Sequence, residues 1–146
     1  MIEAKVALAT RCELGEGLHW DTRRQLLWFV DIHAPALHWF DPVTRAAGSR
    51  PMPEPIGWVL SARNSERVLV GLKSGIALLD PLDERGQPEW LDRTFPGNAD
   101  LRLNDAKADK LGRLWYGSMS ASDESQPVGC FARCDVGSGP PVIVDT

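Results

Sequence analysis

Residues 17–41 read GLHWDTRRQLLWFVDIHAPALHWFD, and this stretch decides the fold. The short apolar segment Leu26-Leu27-Trp28-Phe29-Val30 is preceded by an opening strand, Gly17 to Trp20, and a polar turn, Asp21-Thr22-Arg23-Arg24. A second turn and a further strand follow, Ala36 to Asp41, ending in aspartate. Asp, Asn, Ser and Gly at such junctions close tight hairpins, so the stretch reads as antiparallel strands on short turns. A weaker fourth strand is expected around Ala46 to Met52.

The same order recurs twice downstream. Opening strands stand at Trp58 to Ala62 and Leu103 to Ala108, and middle strands at Val68 to Leu72 and Leu114 to Gly117. The turns between them are Arg63-Asn64-Ser65-Glu66 and Asp109-Lys110-Leu111-Gly112-Arg113. Third strands ending in aspartate follow at Gly75 to Asp80 and Gly129 to Asp135, with fourth strands near Pro88 to Leu91 and Val142 to Asp145. A period of roughly 40 to 45 residues with four strands per unit is the signature of propeller blades. No segment carries a 3.6-residue apolar stripe, and the 11 prolines and 13 glycines are scattered, so helix is expected to be scarce. The fold class is therefore all-β, a β-propeller of four-stranded blades with about three blades in one partial domain, residues 1–146. The blades are expected at about 12–54, 55–98 and 99–146. Residues 1–11, where Ile2, Ala4, Val6 and Leu8 alternate with Glu3, Lys5 and Ala7, read as a strand that would complete the last blade. Closed propellers have about four to eight blades, so three leave open flanks that invite self-association through exposed edges.

Bulk properties exclude several classes of function. A net charge of -4 with no basic cluster argues against nucleic acid and anionic membrane as partners. No apolar run approaches the roughly 20 residues that span a bilayer, and the N-terminus lacks the charged head and apolar core of a signal peptide. A cytoplasmic location is the expectation. The odd count of 3 cysteines agrees with it, and Cys130 and Cys134, without a second Cys/His pair, read as buried thiols rather than zinc ligands.

Two places carry chemistry. Glu16 is a carboxylate between two glycines at the start of an innermost strand, where a hard cation could approach; a solvated turn glutamate is the alternative. Arg102 and Asn104 are one residue apart, so on a strand both face one side and offer a guanidinium fork beside an amide. Such a pair suits the hydroxyls and carbonyl of a polyhydroxylated ring; a surface Arg–Asp pair with Asn104 in a turn is the alternative. Asp105 is expected to point the other way and brace the blade. Asp31, Asp41, Asp80, Asp109 and Asp135 read as turn-formers at strand ends, and His19, His33 and His38 match no metal-ligand spacing.

Two segments bear a family resemblance. Cys12-Glu13-Leu14-Gly15-Glu16-Gly17-Leu18-His19-Trp20-Asp21, with Leu26-Leu27-Trp28-Phe29-Val30-Asp31-Ile32, resembles the opening blade of the SMP-30, gluconolactonase and luciferin-regenerating-enzyme family. Arg102-Leu103-Asn104-Asp105-Ala106-Lys107-Ala108-Asp109, then Gly112-Arg113 and Gly117-Ser118-Met119, is similar to a second run of that family. The resemblance implies a six-bladed propeller about twice this length, of which this chain is the N-terminal half. It implies metal-dependent hydrolysis of an aldono-lactone to the open acid, with one divalent ion (calcium, zinc, manganese or magnesium) and a sugar lactone as the small-molecule partner. By the same resemblance Glu16 is a metal ligand, Arg102 and Asn104 bind substrate, and the remaining ligands and the catalytic base fall beyond Thr146. Leu18 stands where the family has proline, and the family's acidic residue near the substrate is unassigned within Ser120-Ala121-Ser122-Asp123-Glu124. The alternative is a cation- or ligand-binding half-propeller without turnover, acting as a homodimer through the open flanks.

Overall fold

The computed structural model describes residues 1–93 and 100–135, and the backbone of residues 142–145. Every regular element among the described residues is a strand. The first sheet holds β1 (Gly15–Asp21), β2 (Leu26–Asp31), β3 (Ala36–Phe40) and β4 (Ala47–Pro51). The second holds β5 (Ile56–Ser61), β6 (Val68–Leu72), β7 (Gly75–Leu79) and β8 (Glu89–Asp92). The third holds β9 (Leu101–Ala108), β10 (Leu114–Ser120), β11 (Phe131–Cys134) and β12 (Val142–Asp145). In each sheet spatial order follows chain order and neighbours are antiparallel, which makes each a meander, as expected of a blade. The expected boundary at 98/99 lies outside the described residues.

Alternation along the middle strands welds the blades face to face. Trp28 and Val30 of β2 pack with Val68, Val70 and Leu72 of β6 in one buried cluster. Leu69 points to the other side of β6, into a second cluster with Trp58, Leu103, Leu114 and Tyr116. Period-2 side-chain geometry thus gives blade two a dry face on each side. Gly71 belongs to this packing, because a Cβ there would strike the indole of Trp58, itself 1% exposed. Gly71→Ala is therefore expected to destabilise the chain by about 1–3 kcal/mol through overpacking. A urea unfolding midpoint equal to that of the unmodified chain would show that the indole has room to move.

Aspartates stitch the turns. Asp21 Oδ1 accepts the Arg23 and Arg24 N–H groups, while its Oδ2 accepts Trp28 Nε1 at 3.3 Å. Asp109 accepts Leu111 N–H and Trp115 Nε1 in blade three in the same manner. Asp31 accepts four backbone N–H groups, from Glu13, Leu14, His33 and Ala34. Burial alone would raise the Asp31 carboxyl, but those N–H groups outweigh it and hold the group below the usual carboxylate range.

The last blade, which residues 1–11 are expected to complete, is not among the three described sheets. Residues 1–11 pair with no strand among the described residues, and Ile2 and Val6 are exposed. Alternation alone does not make a strand, because an edge must be present to accept its hydrogen bonds. Residues 6–8 lie instead along blade one, bounding a cavity of about 520 Å³ with Leu18, Leu27 and Phe29.

Candidate functional site

The innermost strands β1, β5 and β9 stand side by side, β5 touching both of the others. Glu16 lies where β1 is irregular. Its register against β2 shifts between Glu16 and His19, and Gly17 sits at φ 64°, a left-handed conformation that a glycine adopts without strain. A Cβ on Gly17 would also press the Gly57 carbonyl at 3.2 Å. This bulge turns Glu16 outward. The side chain is exposed, lines the 520 Å³ cavity, and has no hydrogen-bond or ion-pair partner among the described residues.

Arg102 and Asn104 do face one another. The Arg102 guanidinium, only 4% exposed, donates to Asn104 Oδ1 at 2.9 Å and to Glu124 Oε1 at 3.2 Å. The Glu124 contact settles which acid of the 120–124 segment is near the pair, which spacing alone left open. Ser120 Oγ accepts the N–H groups of Ser122 and Asp123, curling the chain back after β10. Asp123 is occupied by Ser125 and Gln126, so Glu124 is the carboxylate that reaches Arg102.

Asp105 corrects the sequence reading. Opposite β10, the register passes from Leu103–Ser118 to Ala106–Tyr116, so Asn104 and Asp105 together face Gly117 across a bulge. Strict alternation fails there, and both side chains are exposed. Asp105 does not brace the blade; it pairs with Lys107 at 2.8 Å and lines the same cavity as Glu16. That pairing engages the Lys107 ammonium, and Glu16 has no counter-ion among the described residues.

Two histidines also have defined partners. His19 Nε2 accepts the Ser61 N–H at 3.0 Å and meets Ser61 Oγ at 2.8 Å, tying β1 to β5. Accepting that N–H requires a neutral ring with its proton on Nδ1. Burial pushes His19 below its ordinary value; Asp21 opposes this and Lys107 adds to it. The folded chain therefore binds a proton here less readily than the unfolded chain. This contribution to stability is fully present above about pH 6.5 and is lost as pH falls toward the folded value. We expect unfolding free energy to decline below about pH 6.5, and His19→Gln to flatten that decline. An unaltered slope in the variant would remove His19 as its source. The lowered carboxylates act in a separate, more acidic window.

His38 stacks on Phe29 with centroids 4.8 Å apart, and its Nε2 is 4.0 Å from Cys12 Sγ. Cys134 is buried, which pushes its thiol up to about 11, whereas Cys130 is half-buried against Ser118.

Three meandering four-stranded blades that meet through their innermost strands define a β-propeller segment. Residues 14–145 match the SMP-30/Gluconolactonase/LRE-like region, and the chain belongs to that family. It is 36% identical over 106 residues to 6-deoxy-6-sulfogluconolactonase of Pseudomonas putida, covering 73% of this chain and 35% of that protein. It is 32% identical over 136 residues to L-arabinolactonase of Azospirillum brasilense, covering 90% and 43%. A solved luciferin-regenerating enzyme superposes with a TM-score of 0.84 at 27% identity, over 92% of this chain and 46% of that one. The chain thus spans less than half the length of these relatives, and its three sheets correspond to half of a six-bladed propeller.

Proposed function

We propose that this chain carries the N-terminal part of a sugar lactonase site, which opens an aldono-lactone to its acid with the help of a divalent ion. The observation that carries the reading is the buried Arg102 guanidinium, aimed by Glu124 and joined to Asn104. A desolvated planar cation with an amide beside it presents fixed donors to the ring oxygens of a sugar lactone. Arg102 and Asn104 would orient the ring so that water meets the carbonyl at a productive angle. Glu16 would hold the ion. It fits this role as an unpaired carboxylate flanked by glycines, and oxygen donors suit hard cations. When bound, the ion supplies Lewis-acid stabilisation of the charge that develops on the carbonyl oxygen.

One carboxylate does not hold a divalent ion tightly. Completing the site requires groups from further blades or from a second copy. Leu18 at 70% and Trp20 at 43% exposure stand on the innermost strand of blade one, a flank that either would cover. The test is solution mass by light scattering, with aldonolactone hydrolysis measured on the same sample with and without divalent metal. Metal-dependent turnover that Glu16→Gln abolishes is the expected result for a completed site. Stoichiometric metal binding without turnover would replace the enzyme reading with a binding one, and no metal dependence in either assay would overturn both.

A further inference from the structure

A second cluster of ligating atoms uses none of Glu16, Arg102 and Asn104, although Cys12 borders the same cavity as Glu16. Cys12 Sγ, a carboxylate oxygen of Asp31 and a ring nitrogen of His38 lie within 4.8 Å of one another, and Cys12 Sγ is 4.0 Å from His38 Nε2. We propose that these three side chains form a site for a thiophilic divalent ion of the Zn²⁺ type, with a fourth position open to the cavity that Cys12 lines.

The argument begins with the residue types. A thiolate, an imidazole and a carboxylate are a donor set that selects zinc over calcium or magnesium, which take oxygen alone. Their charges also balance, since thiolate and carboxylate together neutralise a divalent ion. Three protein ligands with one vacant tetrahedral position is the arrangement of an open zinc site.

The surroundings are prepared for it. Asp31 is 2% exposed, and the N–H groups of Glu13, Leu14, His33 and Ala34 hold its carboxylate in place. Those bonds engage Oδ1 three times but Oδ2 once, at Glu13, so Oδ2 retains a lone pair. The same bonds draw the Glu13–Leu14 backbone over the β2–β3 turn, and this brings Cys12 to His38 across 26 residues of sequence. Phe29 stacks on the His38 ring at an interplanar angle of 8° and fixes its plane. Supporting contacts of this kind orient metal ligands.

Distances require a small closure. Tetrahedral zinc with ordinary Zn–S and Zn–N bonds sets sulfur and nitrogen about 3.5 Å apart. Cys12 precedes β1 and belongs to no strand, so its thiol closes the half-ångström to His38 without breaking a ladder, while the widest separation in the group, within 4.8 Å, closes by side-chain rotation of up to about another ångström. On binding, the Cys12 thiol loses its proton to solvent and the neutral His38 ring donates a lone pair. No ligand is oxidised or reduced.

The site stands independently of the lactonase reading, and the test separates them. The full chain is titrated with Zn²⁺ by calorimetry, and with Co²⁺ while near-ultraviolet thiolate-to-cobalt absorption is followed. Alkylation of each cysteine by iodoacetamide is mapped by mass spectrometry with and without Zn²⁺. The expected result is stoichiometric binding, a thiolate band, and protection of Cys12 but not Cys130. Cys12→Ser and His38→Ala should each weaken Zn²⁺ by about 100-fold or more, the first removing the band and the second shifting it. Glu16→Gln should leave the thiolate band and the protection of Cys12 unchanged. Alkylation of Cys12 at the same rate with Zn²⁺ present would overturn the proposal using the unmodified chain, so a variant that failed to fold would not protect it. A band that survived Cys12→Ser would overturn it equally, as would Zn²⁺ affinity lost in Glu16→Gln alone.

Discussion

Replacing Arg102 by lysine is expected to lower kcat/KM for aldonolactone hydrolysis by about 100-fold, in whichever assembly of the chain turns the lactone over. Lysine keeps the charge but not the planar fork that reaches Asn104 and Glu124 together, at 2.9 and 3.2 Å. A charge-assisted hydrogen bond contributes about 1.5–3 kcal/mol, and 1.4 kcal/mol corresponds to about tenfold in rate. Losing orientation of both the amide and the ring therefore amounts to roughly two orders of magnitude. Glu124→Gln should act in the same direction but less, because Glu124 is 62% exposed and pairs with the guanidinium alone among the described residues. Circular dichroism and the melting temperature serve as controls for folding. Unchanged kcat/KM in Arg102→Lys would remove this residue from the site.

The largest expected effect on stability is at Trp28. Its side chain is 0% exposed, packs in the cluster shared by blades one and two, and donates its indole N–H to Asp21. Trp28→Ala removes that packing and leaves a cavity between two sheets, for which about 3–5 kcal/mol is expected. Domains of this size are stable by about 5–15 kcal/mol, so the variant should retain only part of its cooperative unfolding transition at room temperature. Trp28→Phe keeps most of the volume and loses the bond to Asp21, so a loss of roughly 1 kcal/mol is expected. Chemical denaturation of the three proteins orders them directly. Equal midpoints for tryptophan and alanine would mean that the blades do not pack through this residue.

Strand alternation, aspartate-closed turns and the blade repeat were legible along the chain because each is a local property. Middle strands such as Leu26–Asp31 and Val68–Leu72 declare themselves by runs of apolar residues whose period is set by the backbone. Asp21 and Asp109 declare themselves as turn-formers because the backbone N–H groups that donate to them are only two to four residues away. The Arg102–Asn104 pairing was legible for the same reason, since a separation of two on a strand shares a face.

Tertiary structure decided what alternation does not encode. Two bulges, at Gly17 and at Asn104-Asp105, break the period on the strands that carry the candidate site. A bulge is fixed by how a strand meets its neighbour, so Asp105 turned outward against its sequence reading. The choice of Glu124 over Asp123 rested on a loop closed by Ser120, and the meeting of Cys12 with His38 rested on Asp31 gathering backbone from two segments. Residues 1–11 carry the alternation of a strand but pair with none of the three sheets, because alternation alone does not say which edge a strand joins. The sequence by itself determined the blades and their order. Only the packing of one blade on the next, and the hydrogen bonds that close loops across it, decided which side chains meet, since those contacts join residues tens of positions apart.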